Sequence, residues 1–193
     1  MKGIILAGGL GTRLYSLTYS VSKHLLPIYN KPMIYYPLTT LMLAGIRQIL
    51  VITSPDAQAY YQTLLRDGSQ WGLIIDYAIQ SQPRGISDAF LLGEFFIDQE
   101  PVTLILGDNL FYGEGLARIP TKAQHLESQG GSIFAYNVQD SEHYCVVELS
   151  DSGDIISLEE KPTQPKSPYV VPGLYFYYPQ VVDIAKTLQP SQH

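Results

Sequence analysis

Lys2-Gly3-Ile4-Ile5-Leu6-Ala7-Gly8-Gly9-Leu10-Gly11-Thr12-Arg13 reads as an apolar core strand running directly into a glycine loop. Glycines at such a bend let backbone N–H groups approach a phosphate with no Cβ in the way. Two familiar phosphate loops do not fit. Gly9-Leu10-Gly11 is followed by Leu14 where a dinucleotide fingerprint needs its third glycine, and no Gly-Lys-Ser/Thr ending makes a Walker loop. On its glycines alone the segment reads equally well as a tight turn. Arg13 adds a planar cation able to bridge two phosphate oxygens, and Lys23 a compact charge able to reach the same group. Together they would neutralise charge developing on a transferring phosphoryl.

Outward from this loop the pattern alternates. Strand-like runs recur at Gln48 to Thr53, Leu73 to Ala78 and Val102 to Leu106. Between them lie helical spacings at Ile34, Leu38, Leu41 and Met42, at Ala57, Tyr60, Tyr61, Leu64 and Leu65, and at Ile86, Ala89, Phe90 and Gly93. Parallel strands need crossovers of this length, so the expected core is a doubly wound, mostly parallel α/β sheet with helices on both faces. Ligands then gather at the carboxyl ends of the strands. After about Gly130 the strands come closer together, at Ser132 to Val138, Tyr144 to Leu149, Ile155 to Glu160 and Leu174 to Tyr178. Ser150-Asp151-Ser152-Gly153 reads as a hairpin turn, and Val181, Val182, Ile184, Ala185 and Leu188 as a last amphipathic helix. The expectation is a single domain, 1–193, with a small added sheet over the carboxyl edge. Residues 1–130 and 131–193 form its two halves. An unpaired edge with Leu174 to Tyr178 exposed would be sticky, so self-association or a partner covering it is expected.

Bulk properties set limits on function. The chain has 193 residues, 46% hydrophobic and 16% charged, enough for one sizeable core. A net charge of -6 argues against a nucleic-acid surface, so any phosphate must be held by local cations. No apolar run reaches the roughly 18 residues of a membrane span, and the start resembles a strand more than a signal peptide. One cysteine, Cys145, allows no internal disulfide and no metal-knuckle spacing. These readings give a soluble, cytoplasmic protein as the expectation.

The longer context is more specific. Gly8 to Leu14, then Ser22-Lys23-His24-Leu25-Leu26-Pro27 continuing through Lys31-Pro32-Met33-Ile34-Tyr35-Tyr36-Pro37-Leu38, resembles the sugar-nucleotidyltransferase signature in its thymidylyltransferase branch. The likeness continues through Leu41 to Arg47, Leu104 to Asn109, Glu159-Glu160-Lys161-Pro162 and Gly173 to Tyr177. It implies a Rossmann-like nucleotide-diphospho-sugar transferase fold. The implied reaction joins dTTP and glucose-1-phosphate into dTDP-glucose with release of pyrophosphate, for deoxysugar and cell-surface polysaccharide synthesis. By that resemblance Gly8, Gly9, Gly11, Thr12 and Arg13 hold the nucleotide, Arg13 and Lys23 are catalytic, and Asp108 holds Mg2+. Gln80 and Gly85 read the base. Tyr144, Glu160, Lys161, Val171 and Tyr175 form the sugar pocket.

Several of these residues carry little information without the resemblance. Asp108 follows the strand Val102 to Leu106 at the expected rim, yet an Asp-Asn pair there is commonly a turn former. Gln80 is otherwise a polar strand end, Glu159-Glu160-Lys161 an exposed charged one, and Tyr144, Tyr169 and Tyr175 ordinary strand residues. The sequence also departs from the family. Relatives are expected to continue for roughly another hundred residues, with a second metal-binding aspartate and helices used in assembly, so weak or absent turnover is the expectation here. A nucleotide- or sugar-nucleotide-binding protein without turnover is the alternative in a different class. Uridylyl or adenylyl transfer is the alternative within the enzyme class, and the Lys31 to Leu38 run argues against it. Cys145 stands where the family has glycine and is expected to crowd the sugar. Ser16, Tyr19-Ser20 and Asp88 replace a proline, an arginine and a glutamine and are expected to loosen the loop. Glu114 replaces a histidine near a secondary nucleotide site, where a carboxylate would repel phosphate.

Overall fold

The computed structural model describes residues 1–9, 11–113 and 130–188. Its centre is a six-stranded sheet built from β1 (Lys2–Ala7), β4 (Gln48–Thr53), β5 (Ile74–Ile79), β6 (Val102–Leu106), β7 (Gly131–Ile133) and β12 (Leu174–Tyr177). The order is β5-β4-β1-β6-β12-β7. β1 pairs in parallel with β4 on one side and β6 on the other, and β4 pairs in parallel with β5. Successive side chains of a strand point to opposite faces, so a sheet covered on both sides reads as continuous apolar sequence. Ile5 of β1 and Val51 of β4 pack toward α1 (Tyr35–Leu43) and α2 (Gln58–Leu65). Their neighbours Ile4 and Leu50 pack on the opposite face with Phe90 of α3 (Ser87–Leu92), Ile97 of α4 (Glu94–Ile97) and Val182 of α5 (Val181–Thr187). The doubly wound, mostly parallel architecture is therefore present.

Two expectations need correction. The run Leu174 to Tyr178 is not an exposed edge. As β12 it lies inside the main sheet, antiparallel to β6 on one side and β7 on the other, with Leu174 opposite Ile105 and Phe176 opposite both Thr103 and Ser132. Leu174 and Phe176 are fully buried, so the argument for a partner covering that strand falls away. The run Ser132 to Val138 is not one strand either. It divides into β7 in the main sheet and β8 (Tyr136–Asn137) in a second sheet, because the chain passes from one sheet to the other at Phe134 and Ala135. The third helical pattern is present as α3, capped by Ile86 and Gly93, and the short α4 follows it.

The second sheet has the order β10-β9-β11-β8, with β9 at Cys145–Leu149, β10 at Ile155–Glu160 and β11 at Tyr169–Val170. Tyr144 stands just before β9. The hairpin turn is as expected: Gly153 donates its N–H to the Ser150 carbonyl at 2.9 Å, with Gly153 at φ 89°. A two-stranded ribbon of β2 (Pro27–Ile28) and β3 (Lys31–Pro32) leads into α1. Glu114 lies outside the described residues. Among the described residues no helix is long and apolar enough to cross a membrane.

Candidate active site

The carboxyl ends of β1, β5 and β6 supply most of the polar groups singled out by sequence. Beyond β1 the backbone turns at Gly11, which sits at φ 64°, a left-handed conformation that a Cβ disfavours. A one-turn 3-10 helix, Thr12–Leu14, follows directly. The turn is pinned by Thr18, whose hydroxyl donates to the Gly11 carbonyl at 2.8 Å. Gly11, Thr12, Arg13, Leu14 and Lys23 line an open cavity of about 190 Å³. The two cations named from the sequence therefore face one space. Gly9 is exposed beside this turn.

Lys23 also reaches across to β6. Its Nζ donates to Asp108 Oδ2 at 2.7 Å, joining the loop after β1 to the rim after β6. Burial pushes the Asp108 carboxyl up, but the Lys23 hydrogen bond and charge, with His24 behind, hold it below the usual carboxylate range. An anionic carboxylate is thus paired with Lys23, whose side chain lines the same cavity as Arg13. Among the described residues no group of three or more His, Cys, Asp and Glu side chains is clustered to hold a metal. Asp108 is a single hard oxygen donor, which suits Mg2+, an ion that keeps several waters and takes one or two carboxylates plus substrate phosphates.

Sequence reading missed what lies beneath Lys23. His24 is buried, and its Nδ1 is 3.2 Å from the Tyr61 hydroxyl and 3.4 Å from Ser22 Oγ. Tyr61 and Ser22 are 2.8 Å apart. This network fixes the backbone on either side of Lys23 from α2. Burial brings the His24 imidazole down to about 4, with the Asp108 charge opposing and the Lys23 charge assisting. A histidine lowered in the fold binds its proton first in the unfolded chain, so the fold loses stability as pH falls from about 6.5 toward about 4. The loss from this group is on the order of 2–3 kcal/mol. Thermal unfolding followed across that window should show a falling midpoint, and His24→Gln should flatten the fall; an unchanged slope in the variant would count against it.

On the other side of the loop, Gly8 meets Gln80. A Cβ on Gly8 would sit 2.6 Å from Gln80 Oε1, so only glycine permits this approach. Gln80 is buried, and its Nε2 donates to Asp88 Oδ2 at 2.9 Å. Asp88 Oδ1 in turn accepts from the Arg84 guanidinium at 2.9 Å. Asp88, expected to loosen this region, instead ties α3 to the end of β5. Gly85, at φ 92°, has open space where a side chain would project.

The remaining candidates divide. Cys145, Glu160, Val171 and Tyr175 line a second cavity of about 560 Å³, together with Phe90, Tyr177 and residues of α5. That volume lies within the range of small-molecule pockets. Cys145 and Glu160 are directly opposite in the β9–β10 pair, so both face the cavity. Burial and the Glu160 charge push the Cys145 thiol up, which keeps it protonated and unreactive at neutral pH. Burial, then the neighbouring Tyr177, Cys145 and Glu160, push the Tyr175 hydroxyl up to about 12. Tyr144 and Lys161 are not among the walls. They join backbone to backbone, Lys161 N–H to Tyr144 carbonyl at 2.9 Å, while Lys161 Nζ pairs with Glu160 Oε1 at 2.8 Å.

Comparison with known proteins gives the family and the fold. The sequence profile of the nucleotidyl transferase family covers residues 2–193. The chain is 53% identical over 191 residues to the glucose-1-phosphate thymidylyltransferase of Neisseria meningitidis serogroup A / serotype 4A, covering 99% of this chain and 66% of the relative. It is equally similar, 53% over 191 residues with the same coverage, to the enzyme of that name from Mycobacterium tuberculosis strain H37Rv. The chain thus spans just under two thirds of the length of these curated relatives. A crystallised Bacillus anthracis protein assigned as a glucose-1-phosphate thymidylyltransferase, in complex with sucrose, superposes with a TM-score of 0.91 at 36% identity, covering 99% of this chain and 76% of that one. A UDP-glucose pyrophosphorylase bound to UDP-glucose superposes at 0.80 with 24% identity, covering 100% and 81%, a likeness of fold alone.

Proposed function

The chain belongs to the nucleotidyl transferase family, and from that premise we propose that it transfers a thymidylyl group from dTTP to glucose-1-phosphate, giving dTDP-glucose and pyrophosphate. The observation that carries the proposal is the contact between Lys23 and Asp108, 2.7 Å, at a cavity shared with Arg13 and the Gly11 turn. It sets two cations and one carboxylate where a triphosphate would lie, in a chain whose net charge of -6 would otherwise repel phosphate.

In this reading a phosphate oxygen of glucose-1-phosphate attacks the α-phosphorus of dTTP, and the bond to the pyrophosphate leaving group breaks. Little covalent help from the protein is needed; positioning and charge supply most of the rate. Arg13 steadies the α-phosphate and the departing pyrophosphate, and Lys23 holds the incoming phosphates. Gly8, Gly9, Gly11 and Thr12 let the backbone close on the nucleotide, while Gln80 and Gly85 take the base. Asp108 would hold Mg2+, which when bound supplies charge neutralisation to the phosphates. Glu160, Val171 and Tyr175 would receive the sugar from the larger cavity, with Tyr144 and Lys161 at its rim. Residues 1–130 thus serve the nucleotide and 131–193 the sugar. A cytoplasmic setting is part of the reading, and a single cysteine, Cys145, agrees with a reducing compartment.

The test is product formation. Incubation with dTTP, glucose-1-phosphate and Mg2+ should yield dTDP-glucose and pyrophosphate in equal amounts by chromatography, with UTP a poorer donor in competition. Binding of both substrates with no product would favour a nucleotide-binding protein instead.

A further inference from the structure

Gln80 and Asp88, both buried, and the exposed Arg84 form a chain of polar contacts whose chemistry selects a class of base. We infer that Asp88 is a positioning residue that locks the Gln80 amide in the orientation complementary to an imide edge, the N3–H and adjacent carbonyl of thymine or uracil. The inference rests on the nucleotidyl-transfer reading and specifies the base side of that same site.

Donor and acceptor counts fix the orientation of the amide. A carboxylate only accepts, so the face of the Gln80 amide turned toward Asp88 Oδ2, at 2.9 Å, is its NH2 group. The other Asp88 oxygen is occupied by Arg84 at 2.9 Å, and Asp88 is only 4% exposed, so it cannot turn away to water. The Gln80 carbonyl oxygen must then lie on the opposite side of the amide. It does, against Gly8 at the start of the glycine loop, close enough that a Cβ there would be 2.6 Å away. Gln80 is itself anchored, its backbone N–H donating to the Thr53 carbonyl at 2.8 Å.

The amide therefore offers an acceptor, Oε1, beside one remaining N–H of its NH2 group. Thymine and uracil present the matching pair: N3–H donates and the neighbouring carbonyl accepts. Cytosine presents the reverse, an acceptor at N3 and a donor at N4. To meet cytosine the amide would have to turn over, which would set Oε1 against the Asp88 carboxylate. That repulsion is what excludes the wrong base, and specificity here comes from the cost to the competitor as much as from contacts to the preferred ligand. The edge does not separate thymine from uracil.

Competition binding on the full chain tests this with dTTP, dCTP and N3-methyl-dTTP as probes. The unmodified chain should favour dTTP over both others. In Asp88→Asn the new amide can turn to suit either orientation of Gln80, so the preference for dTTP over dCTP should fall roughly ten- to hundredfold. A residue with only a structural role would weaken all three probes alike. Arg84→Met, which leaves the carboxylate facing Gln80, should keep the preference. An unchanged dTTP to dCTP ratio in Asp88→Asn overturns the inference. So does equal binding of dTTP and N3-methyl-dTTP by the unmodified chain, an arm that needs no variant to fold. An unmodified chain that binds no nucleoside triphosphate removes the nucleotidyl-transfer reading itself, and this inference with it.

Discussion

Lys23→Met is expected to lower kcat/KM for dTTP by a hundredfold or more, the scale on which removing one preorganised electrostatic donor is felt. Methionine keeps the length and apolar stem of lysine but carries no charge. Two consequences follow from the geometry. The cavity beside Gly11 and Arg13 loses half of its cationic lining. Asp108 loses the partner at 2.7 Å that offsets its burial, and its carboxyl rises back from its depressed position. The stability cost should be small, because both side chains are partly open to water and such pairs contribute little to folding. Pyrophosphate release measured alongside thermal unfolding separates the two effects. Undiminished turnover in a folded variant would remove Lys23 from the mechanism.

The second large effect concerns folding. Phe176→Ala should destabilise the protein by about 3–5 kcal/mol, the cost of deleting a buried phenylalanine and leaving its cavity. At this chain length that corresponds to a fall of roughly 6–20 °C in the thermal midpoint. Phe176 is 1% exposed in the middle of β12, between β6 and β7, and meets Phe134 edge to face with ring centroids 5.8 Å apart. A strand at an open edge would tolerate the change. A shift of only a degree or two would therefore contradict the position of β12 within the main sheet.

That strand also marks where sequence patterns stop informing. β1, β4 and β6 are legible because each is a continuous apolar run closed by a turn residue, which is what a sheet covered on both faces requires. Leu174 to Tyr177 is equally strand-like, but nothing local says which sheet it joins. Its partners Val102 to Ile105 lie far upstream, and pairing is settled by burial of Leu174 and Phe176 against both neighbours. The Ser132 to Val138 run misleads for a related reason, since one apolar stretch serves two sheets.

The site divides in the same way. Arg13, Lys23 and the glycines lie close together in sequence, and the turn at Gly11 brings them to one cavity. Asp108 is placed by the end of its strand. The Ser22, His24 and Tyr61 network has no local signature, because Tyr61 comes from α2 and buried polar partners are matched only in three dimensions. Asp88 carries no such signal: Arg84 stands in the loop before α3, outside the helical register in which i and i+4 would meet. What no spacing predicts is that Asp88 also turns toward Gln80.

Whether Arg13 and Lys23, with Mg2+ held by Asp108, receive the phosphates of a nucleoside triphosphate is decided by a calorimetric titration of the full chain with dTTP and, separately, with thymidine, in the presence of Mg2+. Saturable binding of dTTP at one site is expected, with thymidine bound at least about a hundredfold more weakly, since several charge-assisted hydrogen bonds are lost with the triphosphate. Thymidine binding as tightly as dTTP, or no binding of dTTP at all, would contradict it.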